Sequence, residues 1–308
     1  MKKLNKNAPS LVIIGPGRWG SALAKVAKSK TSGIRVLDEN STPQDWDHAF
    51  RSPNTFCILS CPFKAMENVL QNLKGRKILG AINASKGIDR KTLFTFSELA
   101  KKYLKSPFGT LSGPTFAQEV LEGLPSACVL ASANKKFAKE FSKQLTTSKF
   151  RVYPSFDPQG VEICGAIKNV LAIACGISDG LKLGYNARAA LLTRGLREMV
   201  TVVKRFGGKP STVFGLAGAG DLWLTATGEL SRNRQFGMLL AKSYSAEQAL
   251  KKVKGPVEGL YTAKQIQNLV KKYRLDLPIC QEVGLICFSK KKPKLAIQSL
   301  MRREIRPE

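Results

Sequence analysis

The chain has 308 residues, of which 43% are hydrophobic and 23% charged, a balance typical of a globular protein and not of a disordered one. At about 150 residues per domain, this length predicts two domains. Fifty Lys and Arg against 22 Asp and Glu give a net charge of +28, so anionic partners must be considered. The basic residues are spread along the whole chain, which favours a generally basic surface over a specific nucleic-acid site.

Several kinds of site and targeting segment are not expected. The first apolar run, residues 11–14, is too short for a signal peptide, and we expect no integral membrane protein because no stretch approaches about 20 apolar residues. Seven cysteines without a Cys-x-x-Cys pair indicate reduced thiols in the cytoplasm. The single histidine, His48, excludes a Ser-His-Asp triad and a His-ligated metal site. Any general acid or base is therefore expected to be Lys, Asp, Glu, Cys or Tyr, and no metal is expected.

The first half of the chain alternates short apolar runs with helical patterns, which predicts a mainly parallel sheet with helices on both faces. The predicted strands are residues 11–15, 34–38, 55–60, 77–83, 108–112, 127–131 and 150–153. The predicted helices between them are residues 19–28, 65–73, 91–104, 115–121 and 135–146.

The strand pattern ends near Asp157, and the second half is predicted to be all-α. We therefore predict an α/β domain over residues 1–157 and a helical domain over residues 158–308. The predicted helices are residues 161–179, 187–206, 216–227 (an Ala/Gly-rich segment), 232–242, 245–251, 261–273 and 278–288. The basic end, residues 290–306, is expected to be a solvated surface or a frayed terminus.

The first strand runs into Gly15-Pro16-Gly17-Arg18-Trp19-Gly20, and a helical pattern follows. In this context G-x-G-x-x-G predicts a Rossmann-like dinucleotide site: Gly15 for the tight turn, Gly17 for close approach of the pyrophosphate, and Gly20 for helix–strand packing. Asp38 ends the second strand, about 20 residues further on, where a carboxylate binds the ribose of NAD. This favours NAD(H) over NADP(H), although Asp38 is equally compatible with a plain turn.

Two loops at the carboxyl ends of predicted strands are candidate ligand sites, since open parallel sheets bind ligands there. Lys86 follows the fourth strand in Ala84-Ser85-Lys86-Gly87, and a lone loop lysine is more often simply solvated. After the fifth strand, Gly113 and Thr115 could face a ligand or merely cap the next helix.

Lys168 lies on a small and apolar helical face, with Cys164, Gly165, Leu171 and Ala172 as its neighbours one turn away. Such a lysine either extends its ammonium to solvent or is desolvated, and a desolvated lysine can exchange a proton near neutral pH. The adjacent Asn169 could hold a substrate oxygen.

Two further strings carry polar groups with alternative interpretations. Asp221, after a glycine-rich approach and with Thr225 one turn later, could bind a substrate hydroxyl, position a lysine ammonium, or cap a helix. Ser231 is a good N-cap, and Arg232 and Arg234 in the first helical turn oppose the helix dipole, which favours a phosphate there. Glu258, in Val257-Glu258-Gly259, is a further carboxylate with no role evident from its own pattern.

Together these strings resemble the soluble NAD(P)-dependent glycerol-3-phosphate dehydrogenase family. They occur in the family's order and extend from near the start of the chain to about Thr262. The matching strings are Gly15-Pro-Gly-Arg-Trp-Gly20, Ser85-Lys-Gly87, Ser112-Gly-Pro-Thr-Phe-Ala117, Ala166-Ile-Lys-Asn-Val170, Asn186-Ala-Arg-Ala189 with Thr193-Arg-Gly195, Ala217-Gly-Ala-Gly-Asp-Leu222, Ser231-Arg-Asn-Arg234 and Val257-Glu-Gly259.

The resemblance implies roles for the matching residues, with Lys168 as the proton donor or acceptor. The implied substrate-binding residues are Lys86, Gly113, Thr115, Lys168, Asn169, Asp221, Ser231, Arg232 and Asn233. The implied cofactor-binding residues are Arg18, Trp19, Lys86, Ala117, Arg232 and Glu258, besides Gly15, Gly17, Gly20 and Asp38 from the motif itself.

The resemblance also implies an activity: reversible reduction of dihydroxyacetone phosphate to sn-glycerol 3-phosphate by a cytoplasmic homodimer that supplies glycerophospholipid synthesis. Residues 38–55 form a shorter segment than is usual in the family, on the side where the adenosine of the cofactor is expected. Two other hypotheses remain. One is a 3-hydroxyacid or 6-phosphogluconate dehydrogenase, although Lys168 and Asn169 are adjacent here and not three or four residues apart. The other is a nucleotide-sensing or nucleic-acid-binding protein that would explain the charge, although no recognition motif supports it.

Overall fold

The computed structural model describes residues 8–89 and 95–305 of the chain. By its internal contacts the chain divides into two compact units, Met1–Glu162 and Ile163–Glu308. This division falls a few residues beyond the predicted boundary after Asp157.

The first unit contains a seven-stranded sheet in the order β2-β1-β3-β4-β5-β6-β7. Every neighbouring pair is parallel except β5 and β6, which are antiparallel. The prediction of a mainly parallel sheet is therefore confirmed. The strands are β1 (Ser10–Ile14), β2 (Ile34–Leu37), β3 (Thr55–Leu59), β4 (Gly80–Asn83), β5 (Phe108–Ser112), β6 (Ser126–Ala131) and β7 (Phe150–Ser155).

Helices cover both faces of this sheet, as the side-chain alternation along β1 shows. Leu11 and Ile13 belong to one buried cluster, and Val12 and Ile14 belong to another. A strand that is buried on both faces is the expected consequence of crossover helices on each side. The helices of this unit are α1 (Arg18–Ala27), α2 (Pro43–Ala49), α3 (Met66–Leu73), α4 (Phe96–Tyr103), α5 (Ala117–Glu122) and α6 (Lys135–Leu145), with a single 3₁₀ turn at Phe63–Ala65.

Two of these helices differ from the sequence prediction. The helix predicted over residues 91–104 is α4, and residues 91–94 lie outside the described part of the chain. Helix α2 covers a polar stretch whose sequence is compatible with either a surface turn or a helix start, because only Trp46 and Ala49 are buried. A capping box defines its start: Asp45 N donates to Thr42 Oγ1 at 3.3 Å, and Thr42 N donates to Asp45 Oδ2 at 2.8 Å.

The described residues of the second unit form helices joined by short loops, and α7 begins at the end of the first unit. Its elements are α7 (Pro158–Gly180), α8 (Gly184–Arg205), α9 (Pro210–Val213), a π-turn (Leu216–Gly220), α10 (Asp221–Thr227), α11 (Arg232–Ala241), α12 (Ala246–Lys252), α13 (Glu258–Tyr273), α14 (Pro278–Phe288) and α15 (Pro293–Met301). The prediction of an all-α second half is confirmed.

Helix α15 overturns the frayed end that was one of the two expectations for residues 290–306, whereas the many exposed side chains of this segment agree with the other, a solvated surface. Pro293 at the first position favours a helix start, Ala296 is buried, and Lys291 Nζ donates to Glu282 Oε1 and to Ser299 Oγ, both at 2.9 Å. The charges around it obscured a short helix with a packed face. Arg306 lies outside the described residues.

Helix α7 is long and apolar enough to cross a membrane by length and composition alone, with a mean hydropathy of 1.6 over its most apolar window. The sequence expectation that no such stretch exists was therefore too simple. That window is entirely buried inside the protein, as in a core helix. Burial on all sides explains why its residues are apolar all round.

The seven cysteines are all buried, reduced thiols. Burial raises the pKa of Cys61 to about 11 and the pKa values of Cys175 and Cys287 to about 12. The prediction that the cysteines form no disulfide framework agrees with this arrangement.

Candidate active site

The glycine turn after β1 has the geometry that its sequence predicts. Gly15 adopts a φ of +94°, which side chains rarely tolerate, and a Cβ there would lie 2.7 Å from Cys61 N. A Cβ on Gly20 would lie 2.5 Å from Ser60 Oγ and would also collide with the Gly15 carbonyl. A Cβ on Gly17, in contrast, would have nothing within 4 Å. The turn is thus tightly packed at both ends and open in the middle.

Helix α1 starts at this open position. Gly17 is its N-cap, no side chain caps it, and its first turn contains no acidic residue. The first N–H groups of a helix lack intrahelical partners and form a positive dipole end, so this position suits a pyrophosphate. Arg18, at the first helical position, is exposed. The residues present therefore fit a dinucleotide.

Trp19 connects α1 to the loop that carries Lys86. Its Nε1 donates to the carbonyl of Ala84 at 3.1 Å, immediately after β4. Ser85 is held in turn, because its Oγ donates to Cys61 O at 2.5 Å and its N–H donates to Asn83 Oδ1 at 3.0 Å. Lys86 is half-buried in this fixed loop. The loop therefore lies at the carboxyl edge of the sheet, next to the glycine turn.

The remaining predicted residues of the first unit follow strands β5 and β2. Thr115 Oγ1 donates to Gly113 O at 3.2 Å in the loop after β5, and Ala117 begins α5 and packs against a buried cluster. Asp38 follows β2, and its Oδ1 accepts from Asn40 N at 2.9 Å and from Ser41 Oγ at 3.1 Å. Asp38 thus forms the turn that the sequence left open as an alternative, and its cofactor role stays a prediction.

A buried ion pair is the main feature of the second unit. Lys168 Nζ, on α7, lies 2.6 Å from Asp221 Oδ1 and 2.6 Å from Thr225 Oγ1, both on α10. The side chains of Lys168 and Asp221 are only 6% and 2% exposed. Lys168 therefore does not extend to solvent. The structure brings it together with the carboxylate that the sequence suggested could position a lysine ammonium.

The local fold explains how α10 presents both partners. The π-helical turn Leu216–Gly220 leads directly into Asp221, the first residue of α10. Single π-helical turns occur frequently at functional sites. Thr225 follows one helical turn later, and its hydroxyl also donates to the Asp221 carbonyl at 2.6 Å. This bond leaves a lone pair of Thr225 Oγ1 directed at the ammonium. Sequence reasoning noted the spacing of Thr225 from Asp221 but did not select Thr225 as a site residue.

Beside this pair, amide side chains connect α7, α11 and α13. Asn233 Nδ2 donates to Asn169 Oδ1 at 3.0 Å, and Gly259 N donates to Asn233 Oδ1 at 2.9 Å. Asn169 Nδ2 in turn donates to Gly165 O at 3.3 Å. Two predicted substrate residues, Asn169 and Asn233, thus bind each other. Gly259, which sequence reasoning did not select, is held by them beside the half-buried Glu258.

The two arginines at the start of α11 have different surroundings. Ser231 caps the helix, since its Oγ accepts from Arg234 N at 3.3 Å. Arg234 is bound to Asp179 and so needs no external anion, which corrects the expectation that both arginines indicate a phosphate. Arg232 is exposed at the first helical position. Only Arg232 keeps the surroundings that the phosphate hypothesis requires.

No group of three or more His, Cys, Asp or Glu within the described residues could hold a metal ion. The expectation of no metal stays a prediction for the protein as a whole.

A glycine turn after the first strand of a mainly parallel sheet, followed by an all-α unit with a buried Lys–Asp pair, defines the class of two-unit dinucleotide-dependent dehydrogenases. Two family models match the chain: the N-terminus of NAD-dependent glycerol-3-phosphate dehydrogenase at residues 41–138, and its C-terminus at residues 157–298. The chain belongs to this family, whose members are NAD(P)-dependent oxidoreductases acting on a CH–OH group.

Individual relatives agree with this assignment. The chain is 39% identical to glycerol-3-phosphate dehydrogenase [NAD(P)+] of Synechococcus sp., over 98% of this chain and 100% of that protein, and 37% identical to the Coxiella burnetii enzyme of the same name, over 97% and 98%. The crystal structure of the Coxiella burnetii glycerol-3-phosphate dehydrogenase superposes with a TM-score of 0.87 at 36% identity, covering 96% of this chain and 99% of that one. The structure of glycerol-3-phosphate dehydrogenase from the yeast Saccharomyces cerevisiae superposes with a TM-score of 0.82 at 22% identity, covering 96% of this chain and 100% of that one. At this identity the likeness shows the fold alone.

Proposed function

We propose that the chain catalyses the reversible NAD(P)H-dependent reduction of dihydroxyacetone phosphate to sn-glycerol 3-phosphate. The observation that carries this proposal is the buried cluster of Lys168, Asp221 and Thr225, since it holds one ammonium in a fixed direction away from bulk water. Residues 1–157 serve as the dinucleotide-binding domain, and residues 158–308 serve as the substrate-binding domain.

The glycine turn supports the cofactor half of the proposal. Gly15, Gly17 and Gly20 form a cradle that is open only at Gly17, at the start of α1. When bound, NAD(P)H supplies a hydride to the C2 carbonyl carbon. Arg18, the Asp38 carboxylate and the loop of Lys86 lie on the same sheet edge, and Asp38 favours NAD(H) over NADP(H) because it would repel a 2′-phosphate. Trp19, Ala117, Arg232 and Glu258 complete the proposed cofactor-binding set.

Lys168 handles the proton in this proposal. As negative charge develops on the C2 oxygen, the Lys168 ammonium stabilises it and donates a proton, which leaves a neutral amine and a C2 hydroxyl. Asp221 favours the ammonium form before the reaction because opposite charges at this distance stabilise each other. In the reverse direction the neutral amine takes the hydroxyl proton. Proton transfer by a positioned group contributes roughly 10²–10⁴-fold to the rate.

The phosphate of the substrate is assigned to the start of α11. Helix N–H groups and the exposed guanidinium of Arg232 form an anion site next to the buried Ser231 and Asn233. Binding the phosphate there fixes C2 relative to Lys168, so binding energy remote from the reacting carbon contributes to kcat/KM. Lys86, Gly113, Thr115 and Asn169 are the further proposed substrate contacts.

The cellular part of the proposal follows from the family and not from geometry. The enzyme is a cytoplasmic homodimer that supplies glycerophospholipid synthesis. The short 38–55 segment is compatible with this activity. The alignment with the Synechococcus relative spans 302 residues and covers 98% of this chain and 100% of that protein, so the relative has no long insertion there.

The test is the loss of NADH absorbance with dihydroxyacetone phosphate, run beside NADPH at matched concentrations. We expect turnover with both and a higher kcat/KM with NADH. Lys168→Met should lower kcat about a hundredfold or more while NADH binding, followed by protein fluorescence, stays within about twofold. Asp38→Asn keeps an oxygen for the turn and removes the charge. It should therefore lower the ratio of kcat/KM with NADH to kcat/KM with NADPH. Absence of turnover with both cofactors would refute the reaction, and normal turnover by Lys168→Met would refute the acid–base role.

A further inference from the structure

The proposed reaction does not use a second charge cluster in the helical unit. Asp179 Oδ2, at the end of α7, accepts from Arg234 Nε at 2.7 Å and lies 2.7 Å from Arg234 Nη2. Arg188, on α8, reaches the same oxygen at 3.2 Å. The three side chains are only 13–20% exposed. Because the guanidinium is a planar fork, this contact fixes the direction of the Arg234 side chain as well as its charge.

A second side-chain contact also joins the start of α11 to helix α7. Asn233, the neighbour of Arg234, binds Asn169, which lies ten residues before Asp179 on α7. Ten helical residues span about 15 Å. Two consecutive residues of α11 are therefore held at two well-separated points of one rigid helix, which fixes the rotation of the first turn of α11 as well as its position.

Helices α7 and α11 also touch through their backbones along this line. A Cβ on Gly176 would lie 2.9 Å from the carbonyl carbon of Arg234, and a Cβ on Gly237 would lie 2.9 Å from Ile177 N. Such close contact leaves little space for the helices to slide past each other. The first turn of α11, which contains Arg232, thus has its orientation set by α7.

Arg234 and Arg232 differ in whether a carboxylate of the chain compensates their charge. A cation in the first turn of a helix is unfavourable with the helix dipole, and Asp179 compensates this for Arg234. Arg232, two residues earlier, is exposed. We propose that Asp179 and Arg234 are positioning residues, which aim Arg232 at the substrate phosphate. This inference rests on the proposed function, in which Arg232 binds that phosphate.

Asp179→Asn tests the inference because it keeps the side-chain shape and removes the charge. We expect KM for dihydroxyacetone phosphate to rise about tenfold, which corresponds to about 1.4 kcal/mol, while kcat changes less than about threefold. KM for dihydroxyacetone, which has no phosphate, should change less than about twofold. Arg234→Lys keeps the charge but not the fork, so it should raise KM by an intermediate amount. It carries the test if Asp179→Asn does not fold.

A double-mutant cycle separates positioning from a general effect on the fold. In an Arg232→Ala background, Asp179→Asn should raise KM for the phosphorylated substrate by less than about threefold, because both substitutions then affect one interaction. Asp276→Asn is the matched control, since it breaks an exposed Asp–Arg pair of the same unit in which Arg303 Nη2 lies 2.8 Å from both carboxylate oxygens. That variant should leave KM unchanged.

Three results would overturn the inference. They are an unchanged KM in Asp179→Asn, an equal rise in KM in the wild-type and Arg232→Ala backgrounds, or an equal rise in KM for dihydroxyacetone and for dihydroxyacetone phosphate. The wild-type protein is assayed first in the same series. If it does not reduce dihydroxyacetone phosphate, the proposed function fails, and it fails before any variant is compared.

Discussion

The Lys168–Asp221 pair allows a prediction about stability that is separate from activity. At 2.6 Å and an effective dielectric constant of about 20, the attraction between the two charges is about 6 kcal/mol. The two side chains are only 6% and 2% exposed, so removing their charges from water costs several kcal/mol per ion and offsets this attraction. The pair as a whole therefore contributes little net stability, but either charge alone would be costly.

We expect Lys168→Met and Asp221→Asn each to lower the free energy of unfolding by about 3–5 kcal/mol at pH 7, because each leaves one buried charge without its partner. The double variant Lys168→Met/Asp221→Leu should recover most of that loss, because it removes both charges and fills the space with apolar groups. The two variants without Lys168 should lack the proton-transfer step and therefore turn over slowly, whereas Asp221→Asn keeps the lysine and loses only the charge that favours its ammonium form.

Urea unfolding followed by circular dichroism, with kcat measured on the same preparations, provides both quantities. If Asp221→Asn lowers the free energy of unfolding by less than about 1 kcal/mol, the pair is solvated in the protein and its description as a buried ion pair is wrong. If the double variant is no more stable than either single variant, the loss does not come from an isolated charge.

Two further predictions concern other parts of the chain. Gly17→Ala should have the Tm of the wild-type protein but bind NADH at least about fivefold more weakly. Gly20→Ala should also have a lower Tm, because a Cβ at Gly20, unlike one at Gly17, would collide with neighbouring atoms. Equal Tm values for the two variants would contradict this. Burial of Glu198 raises its pKa from 4.5 to about 7, so between these values the folded protein keeps a proton that the unfolded chain releases. Its free energy of unfolding should therefore fall by up to about 3 kcal/mol as pH rises from about 4.5 to 7, in urea titrations at several pH values, and this part of the slope should be absent in Glu198→Gln.

The sequence was sufficient for most of the fold because the strands carry their own signal. Each predicted strand is a short apolar run with a turn residue near its end, and all seven are present. Helices α2 and α15 are hard to predict because their buried faces are small and lie within polar or basic sequence, where the apolar period is weak.

The candidate site was only partly predictable, because its residues are joined by long-range contacts. Thr225 contacts Lys168 across 57 positions of sequence, and Arg234 contacts Asp179 across 55. No local spacing encodes such a pairing. Arg234 shows the consequence: its position at a helix start suggested an external phosphate, whereas its counter-charge is supplied by the end of α7.

The burial of all seven thiols has a consequence for how the enzyme responds to its surroundings. The thiolate is the form that reacts with oxidants and disulfides, and burial disfavours it here. Peroxide or oxidised glutathione should therefore find no ready target in the folded protein. The proposed nicotinamide-dependent reaction should therefore run at the same rate in oxidising and in reducing glutathione buffers, independently of the thiol redox state around the protein.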